Sequence, residues 1–495
     1  MRFGFLCKGA IVVLLVALFD GLFPREFSGA VVGAFAAAWI AGVLIGRPDV
    51  RRNRTARTAI AAAMLFAAAL AYDPGPLPWA FFWCAVSMAA LLPKVARFDD
   101  AWHWAARLLF HAPTSILAPL RDLRLLLGTR HTARTGPRAI AAMLALPLIG
   151  GLLFVILFAS ANPLIAQALS AIRLPALWRI LLWVFIAACV WPSLRPHAAT
   201  LRLAARLPDP EPRLPGTSLP SVLIALALFN AIFAVQNILD IAFLWVGGAL
   251  PAGMSQTDYV HRGAYPLIAT ALIAGVMALA MLRPGSASAA HPLARRLVTL
   301  WVAQNLILVA SSVLRTIDYV RTSMLTEWRI AALAWMALVA LGLVLISWRI
   351  LTGRSARWLI NRNALAATIM LGTCAFVDLG AVAAAWNVRA GRPDRVDLCY
   401  LERVGDGALL PLIALEHRPM DPATRDVVRL VRGTLMTNLT EQQSDWTNWT
   451  LHGARRLALA CARIGPTPPR PRPVPPGRWR NCGGIIEVTD RAGTP

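Results

Sequence analysis

Charge is the first thing this sequence is short of. Only 15% of its 495 residues are charged, while 58% are hydrophobic and the mean hydropathy is +0.59. Soluble domains carry about 25% charged residues, so an ordinary soluble core is excluded. Lysine is nearly missing, with Lys8 and Lys94 alone, so arginine carries the net charge of +24. Motif signatures are missing too. None of the seven cysteines forms a CxxC pair, which leaves no zinc or redox signature. There is no HExxH, no GxSxG and no Walker loop, since neither lysine follows the glycine pattern. No catalytic, metal or cofactor motif is therefore present, and none is expected to act.

Long apolar runs are what the chain has instead. A bilayer core about 30 Å thick needs about 20 apolar residues in a helix. Eleven runs approach that length: 9–23, 28–45, 58–72, 75–92, 139–159, 176–192, 220–246, 263–282, 297–314, 330–348 and 364–386. The first and third are short and their edges are soft, so the count spans ten to twelve. Arg2, Lys8 and the run from Ile11 to Phe19 resemble a signal peptide. Asp20 interrupts it and no small-x-small site follows, so an uncleaved first helix is expected.

The connections alternate in arginine. Arg47, Arg51, Arg52, Arg54 and Arg57 crowd the second; the fourth, sixth, eighth and tenth are also basic. The first, third, fifth and seventh hold one arginine or none, and the ninth is mixed. Basic loops face the cytoplasm, so the N-terminus is expected inside and, after eleven crossings, the C-terminus outside. A pI near 11.4 would suggest nucleic acid for a soluble protein. Here the positive-inside effect accounts for it, so the bilayer is the expected partner and nucleic acid is not. The fold expectation is an all-α polytopic membrane bundle in a bacterial inner membrane, with a small, mostly helical C-terminal extramembrane domain. By sequence it divides at 1–138 (four spans and a basic loop), 139–386 (about seven spans) and 387–495 (a polar tail with a proline-rich piece, Pro466 to Pro476).

Cys7, Cys84, Cys189 and Cys374 lie in or beside apolar runs and read as small core residues. Cys399, Cys461 and Cys482 lie in the tail. A disulfide Cys461–Cys482 is expected, closing the proline-rich loop for roughly 3 kcal/mol, with Cys399 packed as a hydrophobe. Pairing of Cys399 with Cys461 or with Cys482 is the alternative.

Ionisable groups inside a membrane are costly unless they pair, so each is a functional candidate. Span seven carries Asn230, Gln236, Asn237 and Asp240; Gln236 and Asp240 share a face at i, i+4. Span nine carries Gln304, Ser311, Arg315 and Asp318 on one face. Arg315 can reach Asp318 on its own helix or Asp240 on a neighbour. Span eight opens with Asp258, Tyr259, His261, Arg262 and Tyr265, and Asp378 stands in span eleven. Asp240, Tyr259, His261, Arg262, Arg315, Asp318 and Asp378 are the ligand-binding or polar-cluster candidates. Against them stands the plainer role of polar side chains gluing membrane helices at about 0.6 kcal/mol each. His261 is the only histidine near the cluster, too few ligands for a metal.

The stretch Gly253–Gly275, with Ser311–Val320, Thr326–Met336, Trp358–Asn363, Asp378–Val388 and the string from Asp397 to Leu401, resembles an uncharacterised family of bacterial polytopic membrane proteins. That family is catalogued only as a domain of unknown function, and the likeness covers roughly 140–415. It implies a shared signature holding Tyr259, His261, Arg262, Arg315, Tyr319, Glu327, Arg329, Asp378 and Asn387, and no activity. Three functions compete. One is binding or transport of a small ligand through an outward polar pocket between spans seven and eleven. The second is a scaffold or signalling protein with an envelope-facing tail and a protein partner at that tail or at the basic loops. The third is a membrane-embedded enzyme acting on a lipid-linked substrate.

Overall fold

The computed structural model describes residues 2–23, 29–95, 98–116, 176–208, 218–245, 269–270, 272–282, 286–466, 468–475 and 478–488. The expected span at 139–159 and the residues Tyr259, His261 and Arg262 lie outside the described residues. Helices α1 (Arg2–Leu22), α2 (Val31–Gly46), α3 (Pro48–Arg52), α4 (Arg54–Tyr72), α5 (Pro76–Leu91) and α6 (Ala101–Ile116) come first. Then come α7 (Leu177–Leu194), α8 (Ala198–Ala205) and α9 (Leu219–Asp240), which continues into a π-helical turn, Ile241–Trp245. α10 (Leu272–Met281), α11 (Pro292–Ser323), α12 (Glu327–Thr352), α13 (Ala356–Cys374) and α14 (Leu379–Ala390) follow. The tail holds α15 (Leu398–Val404), α16 (Leu409–Glu416), α17 (Pro422–Ser444), α18 (Leu451–Ile464) and an antiparallel pair, β1 (Arg478–Arg480) and β2 (Ile486–Val488).

The molecule is an all-α polytopic membrane protein. Seven described helices are long and apolar enough to cross a bilayer, and the bent pair α13–α14 would make an eighth only if it is counted as one span. α2 and α10 are apolar but shorter. Ten of the eleven expected stretches are thus met by a described helix. Their ends are set by local chemistry. Asn53 caps α4 by accepting from Ala56 N at 3.0 Å, and Ser355 caps α13 by accepting from Trp358 N at 3.2 Å. Gly353 closes α12 at φ 64°, a left-handed position that costs glycine nothing.

Two apolar clusters fill the membrane part. α1, α2, α4, α5 and α7 share the first, with Phe19, Phe35, Trp39 and Phe82 in contact through their rings and Trp191 of α7 against Phe5 of α1. Lipid offers no hydrophobic drive between helices, so close backbone approach does the work. α4 buries Ala56, Ala63 and Ala67 along one stripe. Gly33 of α2 meets it so closely that a Cβ there would lie 2.4 Å from the Cβ of Ala71. α9 to α13 share the second cluster around Trp301, Met336 and Leu343. By sequence order α7 belongs with the later spans; it packs Ile186, Val190 and Leu194 among the first ones. α6 bridges the halves, its Ala101 N donating to Asn361 Oδ1 of α13 at 2.7 Å.

The described basic residues Lys8, Arg47, Lys94 and Arg195 come together at one end of the first helix cluster. Arg47 is buried there and donates to Ala90 O at 2.9 Å and Ser193 O at 3.2 Å, closing α2 onto α5 and α7. The opposite end carries the tail.

Two expectations are corrected. The run at 364–386 is not one straight span: α13 and α14 meet at 69°, because Asp378 starts a new helix by accepting from Ala381 N at 2.8 Å. α14 is apolar because Ala384 and Val388 belong to the tail's own cluster with Leu401, Leu412 and Val428. Hydropathy cannot tell protein from lipid as the apolar neighbour. The tail disulfide joins Cys399 to Cys482, Cα atoms 4.9 Å apart, rather than Cys461 to Cys482. Cys461 faces outward on α18 as a free thiol, whereas the β-hairpin returns to the start of α15.

Candidate functional site

The polar residues of spans seven and nine meet along the seam between α9 and α11. Asn230 and Asn237 stand seven apart on α9, and Leu297, Gln304 and Ser311 stand seven apart on α11. Seven residues are close to two turns, so both rows face one way. Asn230 Nδ2 donates to Leu297 O at 3.0 Å, Gln304 Nε2 to Asn230 Oδ1 at 3.1 Å, and Asn237 Nδ2 to Gln304 O at 3.2 Å. Trp301 packs between Phe229 and Phe233 and shuts the row from one side.

The ladder ends in an ion pair. Arg315 donates to Asp240 Oδ1, which also accepts from Gln236 Nε2 at 3.0 Å. The side chains of Arg315 and Asp240 are 5% and 3% exposed, so the pair is fully withdrawn from solvent. Directly after Asp240 the helix widens into its π-helical turn, and Trp245 from that turn donates to Ser311 Oγ at 3.2 Å. π turns occur mostly as single-turn bulges in α-helices, and frequently at functional sites.

The seam leaves buried polar atoms unmatched. Among the described residues, Asn237 Oδ1, Asp240 Oδ2, Gln304 Oε1 and Asn305 Oδ1 are buried and accept no hydrogen bond, and the Trp301 Nε1 donor is also unused. An unsatisfied buried acceptor costs about 1–3 kcal/mol, more if charged. Four within one helix pair is therefore a feature to be explained.

The other sequence candidates separate. Asp318 lies one turn beyond Arg315 but pairs with Arg321 at 3.3 Å on an exposed face. Tyr259, His261 and Arg262 are outside the described residues. Asp378 belongs to a second cluster, where the tail meets the bundle. Arg456 of α18 donates from Nη2 to Asp378 Oδ2 at 2.8 Å and from Nη1 to Asp406 Oδ2 at 2.6 Å. It also donates to His452 Nε2 at 2.9 Å, and His452 Nδ1 lies 3.4 Å from Asp73 Oδ2. The His452 ring stacks on Tyr72, the last residue of α4. Burial works against the Arg456 charge, but Asp406 and Asp378 outweigh it and raise its pKa. Cavities of about 180 and 410 Å³ flank this clasp and share Asp73, Asp378 and His452.

Sequence reading missed Asn305, Trp245, His452 and Arg456. The signal for Arg456 was there: with Gly453 and Ala460 it falls on the buried stripe of α18, an apolar position for an arginine. At the start of α6, ligand atoms of Asp99, Asp100 and His103 come within 4.8 Å of one another. They already have partners, Asp99 with Arg107 and His103 with Asp100.

A family model described as Domain of unknown function (DUF4153) matches residues 58–415. The chain belongs to that family. The match begins within α4, earlier than the signature stretches do, and contains the whole α9–α11 seam. It also contains Asp378 and Asp406 but stops before His452 and Arg456, so the clasp joins family residues to residues beyond the match. No curated protein and no solved structure matches the chain. DUF4153 membership and the apolar helices make it an integral, multi-pass membrane protein.

Proposed function

We propose that this DUF4153 protein is a transport-like protein of the bacterial inner membrane that exchanges a proton or small cation at Asp240. The single observation that carries the reading is the buried Asp240 carboxylate, which gives one oxygen to Arg315 and Gln236 and keeps the other without a donor. An intramembrane ionisable group marks an ion pathway by default. A proton on Asp240 would use the idle oxygen and cancel the charge that Arg315 meets across the seam. Breaking one side of a buried pair costs about 3–5 kcal/mol, enough to shift a two-state equilibrium. The π turn beside Asp240 supplies the element that would move.

The basic end of the bundle belongs in the cytoplasm by the positive-inside rule, which places the tail outside. The Cys399–Cys482 disulfide supports the same sidedness, since disulfides persist in oxidising compartments.

The test is reconstitution of the purified chain into vesicles holding a trapped pH indicator, under an imposed pH gradient. The gradient is expected to relax ~10-fold more slowly with Asp240→Asn than with the unaltered chain, and at the unaltered rate with Asp318→Asn. Equal relaxation for Asp240→Asn and the unaltered chain would remove the proposal. The Arg456 clasp favours a second reading, a scaffold whose tail reports on the envelope. It predicts no flux in any vesicle.

A further inference from the structure

The extramembrane domain carries an exposed aromatic face that no described part of the chain covers. It lies on the loop from Asp445 to Thr450, between α17 and α18. Trp446 is 64% exposed and Trp449 38% exposed. A domain free in water has reason to bury such rings, and α17 and α18 have a core at hand that does not take them.

The loop is held at the level of the bilayer boundary. Trp449 O accepts from Ala30 N at 2.7 Å, one residue before α2 starts. Gly29, at φ +75°, lies so close that a Cβ there would be 2.1 Å from Thr447 O. One residue after the loop ends, α18 begins, and its His452 stacks on Tyr72 at the end of α4. α4 has 19 residues, which at 1.5 Å each is about the thickness of the hydrocarbon core. Its far end at Arg54 lies among the basic connections. Ala30 and Tyr72 therefore sit where hydrocarbon gives way to headgroups, and the loop sits with them. Tryptophan prefers that layer, with its ring in the acyl boundary and its N–H toward water. Trp178 at the start of α7 and Trp328 at the start of α12 stand exposed at the same end of the bundle. The loop continues that ring of aromatics. Arg455, in the first turns of α18, is exposed beside it and suits anionic headgroups.

We infer that this loop is set into the phospholipid headgroup layer, with Trp446 and Trp449 as anchors, so that the tail domain binds the membrane surface as well as the bundle. Gly29 is then the position that lets the loop sit this low, since any side chain there would push Thr447 away.

The experiment uses the full chain, with the free cysteines Cys7, Cys84, Cys189, Cys374 and Cys461 replaced by alanine and a nitroxide attached at Thr447→Cys. It is reconstituted into vesicles of phosphatidylcholine and phosphatidylglycerol. Collisions of the nitroxide with oxygen, which concentrates in lipid, are compared with those of a water-soluble nickel chelate. The oxygen-to-nickel ratio at 447 is expected to be several-fold higher than with the label at Thr434, an exposed position on α17. Replacing Trp446 and Trp449 by serine in the same background should bring the ratio at 447 down to the Thr434 value. Retention of the Cys399–Cys482 disulfide shows that each variant is folded. A ratio at 447 equal to that at 434 from the outset overturns the inference, as it would if the face met a protein instead. So does a ratio that the two serine substitutions leave unchanged.

Discussion

His111 shows how one side chain can report on the packing of a basic-end helix. It lies on α6, buried against Trp83 of α5. Burial, helped by the charge of Lys94, pushes its pKa down from 6.5 to about 4. The folded protein therefore resists the proton that the unfolded chain accepts. Its stabilising effect is complete above pH 6.5 and is lost as pH falls toward 4, at a cost on the order of 3 kcal/mol. Thermal unfolding in detergent should show the unaltered chain losing stability between pH 7 and pH 4.5 by more than a His111→Gln variant does. Parallel pH curves for the two would mean that the histidine is not buried as described. At the same scale, spacing allowed Arg315 two partners, Asp318 on its own helix and Asp240 across the seam. The tertiary structure chose Asp240, because a pair withdrawn from water forgoes hydration and needs its counter-charge in direct contact.

Among the elements, the bend between α13 and α14 has the largest consequence. The sequence there is one apolar run interrupted by Asp378, which hydropathy reads as a span with a charge inside it. In the fold that aspartate caps α14 and receives Arg456 from α18, so one residue ends the membrane part and fastens the tail. Removing the guanidinium leaves Asp378 and Asp406 facing each other without a cation. The cost of Arg456→Met is on the order of 2 kcal/mol, reduced from that of a fully buried pair because the Asp406 side chain is 40% exposed. Hydrogen exchange should quicken across α18 and the Asp445–Thr450 loop in that variant and stay unchanged across α4 and α5. Unchanged exchange in α18 would show that the clasp does not hold the tail. Most of the apolar helices were legible as elements, since a run of about 20 apolar residues has the length a bilayer demands, though the run at 364–386 shows that such a run can also break. α6 lies in what the sequence offers only as a basic loop, and its role as a bridge from α5 to α13 depends on Asn361, more than 250 residues away in the chain.

For the whole molecule, sidedness is the property that one experiment can decide. Among the described residues, Arg47, Lys94 and Arg195 gather at one end of the first cluster, and the tail meets the other end at Tyr72, a distribution that insertion produces when basic loops stay inside. A reporter active only outside the cytoplasm should be silent when fused after Arg57 and active when fused after Arg392. Activity at both positions, or at neither, would break the proposed orientation, and activity after Arg57 alone would reverse it. The tail also shows where length and composition stop informing. Its cluster draws on α14 as well as α15 to α18, and its disulfide ties the β-hairpin to α15 across 83 residues.

The sequence by itself determined the class of molecule, most of its apolar helices, and the polar residues that a membrane makes costly. These follow from the solvent: lipid demands apolar length and satisfied backbone, and both can be read locally. Only the tertiary structure decided which helices share a core, that Arg315 meets Asp240, that Cys399 meets Cys482, and that Arg456 reaches Asp378. Each of those is a contact between distant segments, chosen by shape and by which charge is left over once the helices pack. No local pattern records it.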